Sequence, residues 1–349
     1  GSAADDASRE GSGSTGTGSA TGAFTAETSS VATTAGSTSP EPTTGEASTS
    51  SGTGTADGSS GTTEGETDTA GFDCEAIAPG PFAVEQVFAP GDVFDGSEDI
   101  AFDGQGNLAG KSGSEVVLAA PDGTVVDSWP DAAPAWGLRF TGEGDLLAAK
   151  FTLGEIRVVN GGGAALLTGE GTVNGLFPDF DGNLWFTNQQ TVRRLNADGS
   201  VDPIATGGDA LGSNGIVWDP ERGLLFYTRY GAAEIRSVAI AGDGSPGANV
   251  LVSDVGGPST AVDGLSMDVC GNLYAVDQAN AALYRVFVDA GGVAMGAPEL
   301  LVDSFPSNVA NAVFGTGSGW EPTSLYAAGV PGGVYRVEVG VPGAPYPTP

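Results

Sequence analysis

The chain contains no histidine at all, and that one absence removes several chemistries. Ser-His-Asp and Cys-His nucleophile pairs, and any histidine dyad, are excluded. A general base must be a carboxylate, a metal-activated water or a lysine. Positive charge is also scarce: 12 Lys and Arg face 44 Asp and Glu, for a net charge of −32. Such a field repels nucleic acid and anionic lipid and attracts cations, although a solvated acidic surface accounts for much of it. No run of about eighteen apolar residues occurs, so no membrane-spanning helix is expected. Cysteine is limited to Cys74 and Cys270.

Composition changes sharply near residue 72. Before it, Ser, Thr, Gly, Ala and Glu dominate, and Phe24 is the only aromatic residue. Such a stretch cannot bury enough apolar surface to offset the entropy of ordering it, so residues 1–72 are read as a disordered acidic tether. Residues 73–349 hold every Trp and Tyr and are read as one large β domain. The chain opens on Gly-Ser-Ala-Ala rather than Met, which fits a removed export signal. With the tether, this gives the expectation of an exported protein, secreted or held at the cell surface or in the periplasm.

The ordered part repeats itself. Asn174-Gly-Leu-Phe-Pro-Asp-Phe-Asp-Gly-Asn-Leu-Trp-Phe-Thr-Asn188 consists of two apolar runs around a tight turn, and therefore reads as a hairpin. Variants of it recur five more times between Glu98 and Gly329. The turn glycines Gly106, Gly144, Gly182, Gly223 and Gly271 are spaced by 38, 38, 41 and 48 residues, the length of a four-stranded unit. A looser sixth copy begins at Asn308 or Asn311. Six such units predict an all-β fold, a six-bladed β-propeller.

The propeller reading also pairs the cysteines. The innermost strand of each blade runs away from the ligand-bearing face, which places the turn holding Cys270 on the opposite face. The alternation Phe82, Val84, Gln86, Phe88 suits an outer strand of the last blade, starting on that same face beside blade five. Cys74 then lies near Cys270, and a disulfide is expected, in keeping with an oxidising compartment.

The repeat also serves as a ruler. Glu98, Trp136, Asn174 and Asp263 each lie eight residues before their turn glycine, and Asn214 lies nine before its own, where the turn is one residue longer. Equal phase means equal place in each blade, so these side chains ring one mouth of the central channel. Four of the five are oxygen donors. Two carboxylates and two amides suit a hard divalent cation, Ca²⁺ first, with room left for water or substrate; Mg²⁺, Mn²⁺ and Zn²⁺ remain alternatives. Asn-Gly and Asp-Gly are also turn dipeptides, and any one of them alone reads as a turn. Trp136 reads equally as a pocket wall, a plug or a core residue.

These segments carry a resemblance. Glu98-Asp-Ile, Val173-Asn-Gly, Ser213-Asn-Gly-Ile-Val-Trp and Val262-Asp-Gly-Leu-Ser-Met-Asp-Val-Cys-Gly-Asn-Leu-Tyr resemble the regucalcin/gluconolactonase family, also called the senescence-marker and luciferin-regenerating-enzyme group, over the domain after about residue 80. The resemblance implies a six-bladed, metal-dependent propeller hydrolase acting on lactones. Carried over, Glu98, Asn214 and Asp263 are metal ligands, and Asn174 is a ligand or binds substrate. Ser97-Glu-Asp-Ile-Ala and Trp136-Gly-Leu-Arg-Phe are also similar to strictosidine-synthase-like and paraoxonase-like propellers. Asp181-Gly-Asn-Leu-Trp-Phe-Thr is similar to the repeats of virginiamycin B lyase, whose chemistry relies on a histidine.

The chain departs from the lactonase pattern at Thr172, where that family carries an Arg, and at Asn188 and Thr228-Arg229. Arg229 is the candidate replacement cation. The expected function is hydrolysis of a lactone or related ester, with Asp263 as base or water holder and Asn174, Trp136 and Arg229 contacting a small-molecule substrate. The alternative is a non-catalytic, exported propeller that binds Ca²⁺ for stability and presents a binding face. A pocket over the metal, lined by apolar residues and one further cation, would favour the enzyme; a shallow or plugged mouth would favour the alternative. A monomer is expected.

Overall fold

A computed structural model describes residues 72–130, 132–256 and 261–349, and all but Phe72 of the expected tether lies outside the described residues. Among the described residues, twenty-four strands form six four-stranded antiparallel sheets, one for each copy of the repeat. The innermost strands are Ile100–Phe102, Gly137–Phe140, Leu176–Pro178, Ser213–Asp219, Val262–Met267 and Asn311–Phe314. Each contacts the next, and the sixth closes onto the first. The fold is the six-bladed propeller expected, with Asn311 rather than Asn308 opening the last inner strand.

The repeating turn has a specific chemistry. Asp179 Oδ1 accepts from the backbone N–H groups of Asp181 (3.0 Å) and Asn183 (2.8 Å), and its Oδ2 accepts from Asn183 Nδ2 and Trp185 Nε1. Asp103, Asp219 and Asp268 close their turns in the same way. The five turn glycines all have positive φ, from 64° at Gly223 to 106° at Gly106, which an L side chain rarely adopts. Hence the recurring pattern of Asp and Gly: a carboxylate closes the loop and a glycine bends it.

Among the described residues the core is divided rather than central. Six apolar clusters each lie between neighbouring blades. Leu184 and Phe186 pack toward blade two, while Trp185 packs toward blade four. Likewise Leu147 and Ala149 face blade three, and Leu146 and Ala148 face blade one. Both faces of a strand are buried, so Leu146-Leu-Ala-Ala149 is apolar at successive positions rather than alternate ones. The buried apolar mass thereby lies mainly in the seams.

The ring is closed twice over. Val84–Phe88 pairs with Val334–Glu338 as the outermost strand of blade six, so the start of the domain clasps its end. Ahead of it, Phe82 N–H donates to the Leu301 carbonyl (2.8 Å), and Phe72, Ile77 and Phe82 pack on the cluster between blades five and six. The expected disulfide joins Cys74 to Cys270 across a separation of 196 residues. In the chain-entropy description, a loop of that size contributes up to about 5 kcal/mol.

Candidate metal and substrate site in the channel mouth

Glu98, Asn174, Asn214, Asp263 and Trp136 line one cavity of about 580 Å³ at a mouth of the channel. The residue after each ring residue of blades two to five explains how they converge. Gly137, Gly175 and Gly215 pack against the backbone carbonyls of Asn174, Asn214 and Asp263 on the next blade, and Gly264 packs against Asn311. A Cβ on any of the four would overlap its neighbour. Gly137, Gly215 and Gly264 lie in strands, Gly175 directly precedes one, and none has a positive φ, so the Asn-Gly and Asp-Gly pairs mark close approach at the axis rather than turns.

Hydroxyls hold the ring in register. Thr187 Oγ1 donates to the Asn214 carbonyl (2.5 Å) and accepts from Gly175 N–H (2.9 Å). Thr228 Oγ1 does the same between the Asp263 carbonyl (2.5 Å) and Gly215 N–H (2.8 Å). Each thus ties its own blade's ring residue to the next one. Such outer contacts fix the direction of a ligand side chain.

The electrostatics of the ring are those of an uncompensated anion pair. Asp263 is 4% exposed, and its Oδ2 is buried without a hydrogen-bond partner. Burial first, then the charges of Glu98 and Asp99, push its carboxyl well above the usual range. Burial and the Asp99 charge raise Glu98 to about 7, against a smaller opposing pull from Lys111. Two carboxylates that cannot both ionise comfortably call for protons or a cation.

The layer beneath is different. Asp99 accepts from the Ile100 and Leu138 backbone N–H groups (2.8 Å each), Arg139 Nη1 (2.8 Å) and Asn311 Nδ2 (2.5 Å). This buried pair fastens blades one, two and six, and Asn311 is committed to it rather than to the ring. The repeat placed Asn311 at the start of blade six but gave no sign of the Asp99–Arg139 pair, because a buried ion pair leaves no spacing signature.

A second ring forms the wall above. Phe151, Gln189, Tyr230 and Gln278 line the same cavity, and each lies seven residues after its turn glycine. The ruler that found the first ring would have found these too, had it been carried beyond the second strand. Trp136 is half-buried and stacks on Phe151, with centroids 4.3 Å apart and planes at 16°, so it is part of the wall. Tyr230 Oη donates to Gln278 Oε1 (2.7 Å).

Arg229 does not join this cavity. It is ion-paired with Glu234 (2.6 Å) and donates to the Leu211 and Gly208 carbonyls. Thr172, where an Arg was expected from the resemblance, donates to the Asn188 carbonyl (2.9 Å). The cation that does line the cavity is Lys111, whose Nζ donates to the Asp95 carbonyl (3.0 Å). Among the described residues, no three His, Cys, Asp or Glu side chains gather as a metal site. The ring offers two carboxylates and two amide oxygens instead, a hard donor set, and the orphaned Asp263 Oδ2 fits a cation of the Ca²⁺ type.

No protein-family model matches the chain, and no curated protein matches it in sequence. Solved structures do match in fold. A gluconolactonase from Xanthomonas campestris is 20% identical, covering 76% of this chain and 96% of its own, with a TM-score of 0.59. Regucalcin, a calcium-binding protein from Agrobacterium tumefaciens, is 15% identical over 78% and 99% of the two chains, with a TM-score of 0.60. A luciferin-regenerating enzyme is 18% identical over 76% and 99%, with a TM-score of 0.55. These belong to the group that the sequence motifs resemble, and what they share with this chain is the propeller.

Proposed function

We propose that the protein is a metal-dependent hydrolase of lactones or related esters, acting at the channel mouth. The observation that carries this reading is the buried, unpartnered Asp263 Oδ2 in a ring with Glu98, Asn174 and Asn214, under an open cavity. Those four residues would hold a divalent cation, Ca²⁺ first. When bound, the cation supplies Lewis-acid polarisation of the substrate carbonyl.

The chain's own groups do the rest. Ring opening adds a water oxygen to the acyl carbon and breaks the acyl C–O bond, giving a hydroxy acid. One water proton must leave as the bond forms, and the departing alkoxide must gain one. Asp263 is the group suited to relay it, through a carboxylate oxygen that the cation does not engage. Glu98, half-buried beside it, would be ionised as a ligand, its charge met by the cation rather than by a proton. Trp136 and the second ring shield the reacting carbonyl from bulk water.

A cavity with apolar walls and one further cation, Lys111, favours this reading over a purely structural Ca²⁺ site. The same reading takes residues 1–72 as a tether for an exported domain, in keeping with the disulfide; no helix among the described residues is long and apolar enough to cross a membrane. The test is calorimetric titration of metal-stripped protein with Ca²⁺, run beside a lactone panel on wild type and Asp263→Ala. Binding with metal-dependent turnover that the variant loses is expected. Binding without turnover would leave a calcium-holding propeller, and no binding would overturn the ring.

A further inference from the structure

The wall above the ring is strongly asymmetric. On the blade-two side, Trp136 and Phe151 stack flat on each other beside Pro134 and Ala135, and Val330 adds an exposed apolar side chain from blade six. Around the rest of the wall, on blades three to five, stand Gln189, Tyr230 and Gln278, all uncharged, the last two already hydrogen-bonded to each other.

Cationic partners for an anionic or densely polar substrate are nearly absent. Each of the nine described arginines is ion-paired with an Asp or Glu, and none lines the cavity. Lys111 donates to a backbone carbonyl, and its charge faces Glu98. A polyhydroxylated acid would find few donors here and would lie beside two carboxylates. A flat apolar group, by contrast, would bury its face on a preformed aromatic surface, and aromatic pairs gain beyond the area they bury.

We propose that this cavity selects a neutral lactone or ester bearing an aryl or similarly flat apolar substituent, seated against Trp136 and Phe151, with a substrate oxygen hydrogen-bonded at the Tyr230–Gln278 pair. This rests on the hydrolase reading and deepens it: blade two sets the substrate class, and the ring performs the chemistry. The Tyr230 hydroxyl is committed to Gln278, which leaves the Gln278 amide N–H groups free to donate to the substrate.

The experiment compares three probes on the Ca²⁺-loaded full chain: γ-phenyl-γ-butyrolactone, unsubstituted γ-butyrolactone and glucono-δ-lactone. The first two share the reacting ring and differ only in the phenyl group. Wild type should prefer the phenyl compound by on the order of 10²-fold in kcat/KM. In Phe151→Ala, and separately in Trp136→Leu, that preference should fall to less than about tenfold. Phe151 begins a short 3₁₀ turn after its strand and is only half-buried, so its variant tests the wall even where Trp136→Leu does not fold.

The lactam analogue of the phenyl probe resists hydrolysis, and its binding is followed by calorimetry. Turnover without a phenyl preference, or with gluconolactone favoured, overturns this inference and leaves the hydrolase reading standing. No turnover, but lactam binding that both variants weaken, overturns the hydrolase reading and supports aryl recognition. Neither turnover nor binding overturns both.

Discussion

Asp263 and Asp268 stand five residues apart, at the two ends of one inner strand, and are almost equally buried, at 4% and 0% exposed. At the turn end, Asp268 accepts from the backbone N–H groups of Cys270 and Asn272 (2.9 Å each), from Asn272 Nδ2 and from Tyr274 Oη (2.9 Å). At the mouth end, Asp263 Oδ2 has no partner, and the charges that act on the carboxyl are the carboxylates of Glu98 and Asp99. Burial raises the proton affinity of both groups; hydrogen bonds pull Asp268 back, and like charges push Asp263 further. One carboxylate therefore serves the fold and the other stands against it, which is the usual mark of a group kept for function.

Exchanging their roles by mutation is the strongest way to break this contrast. Asp263→Asn is expected to lower lactone turnover by ~10³-fold, while leaving the metal-free protein as stable as wild type or more so, read from turnover and urea unfolding on one preparation. Asp268→Ala should do the reverse. Stranding its buried donors is expected to cost about 3 kcal/mol of stability, with Ca²⁺ affinity within a few-fold of wild type. Loss of stability in the Asp263 variant would break the comparison.

Ca²⁺ sharpens it. Saturation at about 100 times the dissociation constant stabilises by ~2.7 kcal/mol, seen as a rise in Tm in wild type that Glu98→Gln loses and Asp268→Glu keeps. Proton occupancy gives a similar effect of opposite dependence. Glu98 has its folded-state value raised from 4.5 to about 7, so the folded protein binds more protons than the unfolded chain between those values. In metal-free protein the Glu98 contribution should accordingly be complete below about pH 4.5 and ~2–3 kcal/mol of it should be lost as pH rises through 7. Urea unfolding across that range, with and without Ca²⁺, reads it; Ca²⁺ should flatten the fall, because metal and proton compete for the same oxygens.

The smallest expected effect concerns the support of the ring. Thr187→Val removes the donor to the Asn214 carbonyl and the acceptor for Gly175 N–H. It should cost ~1 kcal/mol in stability and roughly tenfold in Ca²⁺ affinity. Unchanged affinity would mean that the inter-blade glycine contacts alone hold the ring.

Much of this molecule is legible in the chain because a propeller writes its geometry as period. The spacing of turn glycines predicts six blades; the phase of Glu98, Asn174, Asn214 and Asp263 places them at one mouth; and the alternation at Phe82–Phe88 predicts the clasp and the disulfide. Phe151, Gln189, Tyr230 and Gln278 were legible by the same phase. Arg229 was the residue for which phase gave no guide, since Glu234, five residues on, turns it away from the cavity.

What the sequence determined by itself is whatever repeats, since a repeated residue must meet a repeated environment: blade number, turn chemistry and the ring. Only the tertiary structure decided what does not repeat. Asp99 pairs with Arg139 and Asn311 across three blades, Trp136 turns against Phe151, and Asp263 is left without a donor while Asp268 has several. These outcomes depend on which neighbours close around each side chain, and closure brings together residues that spacing along the chain does not relate.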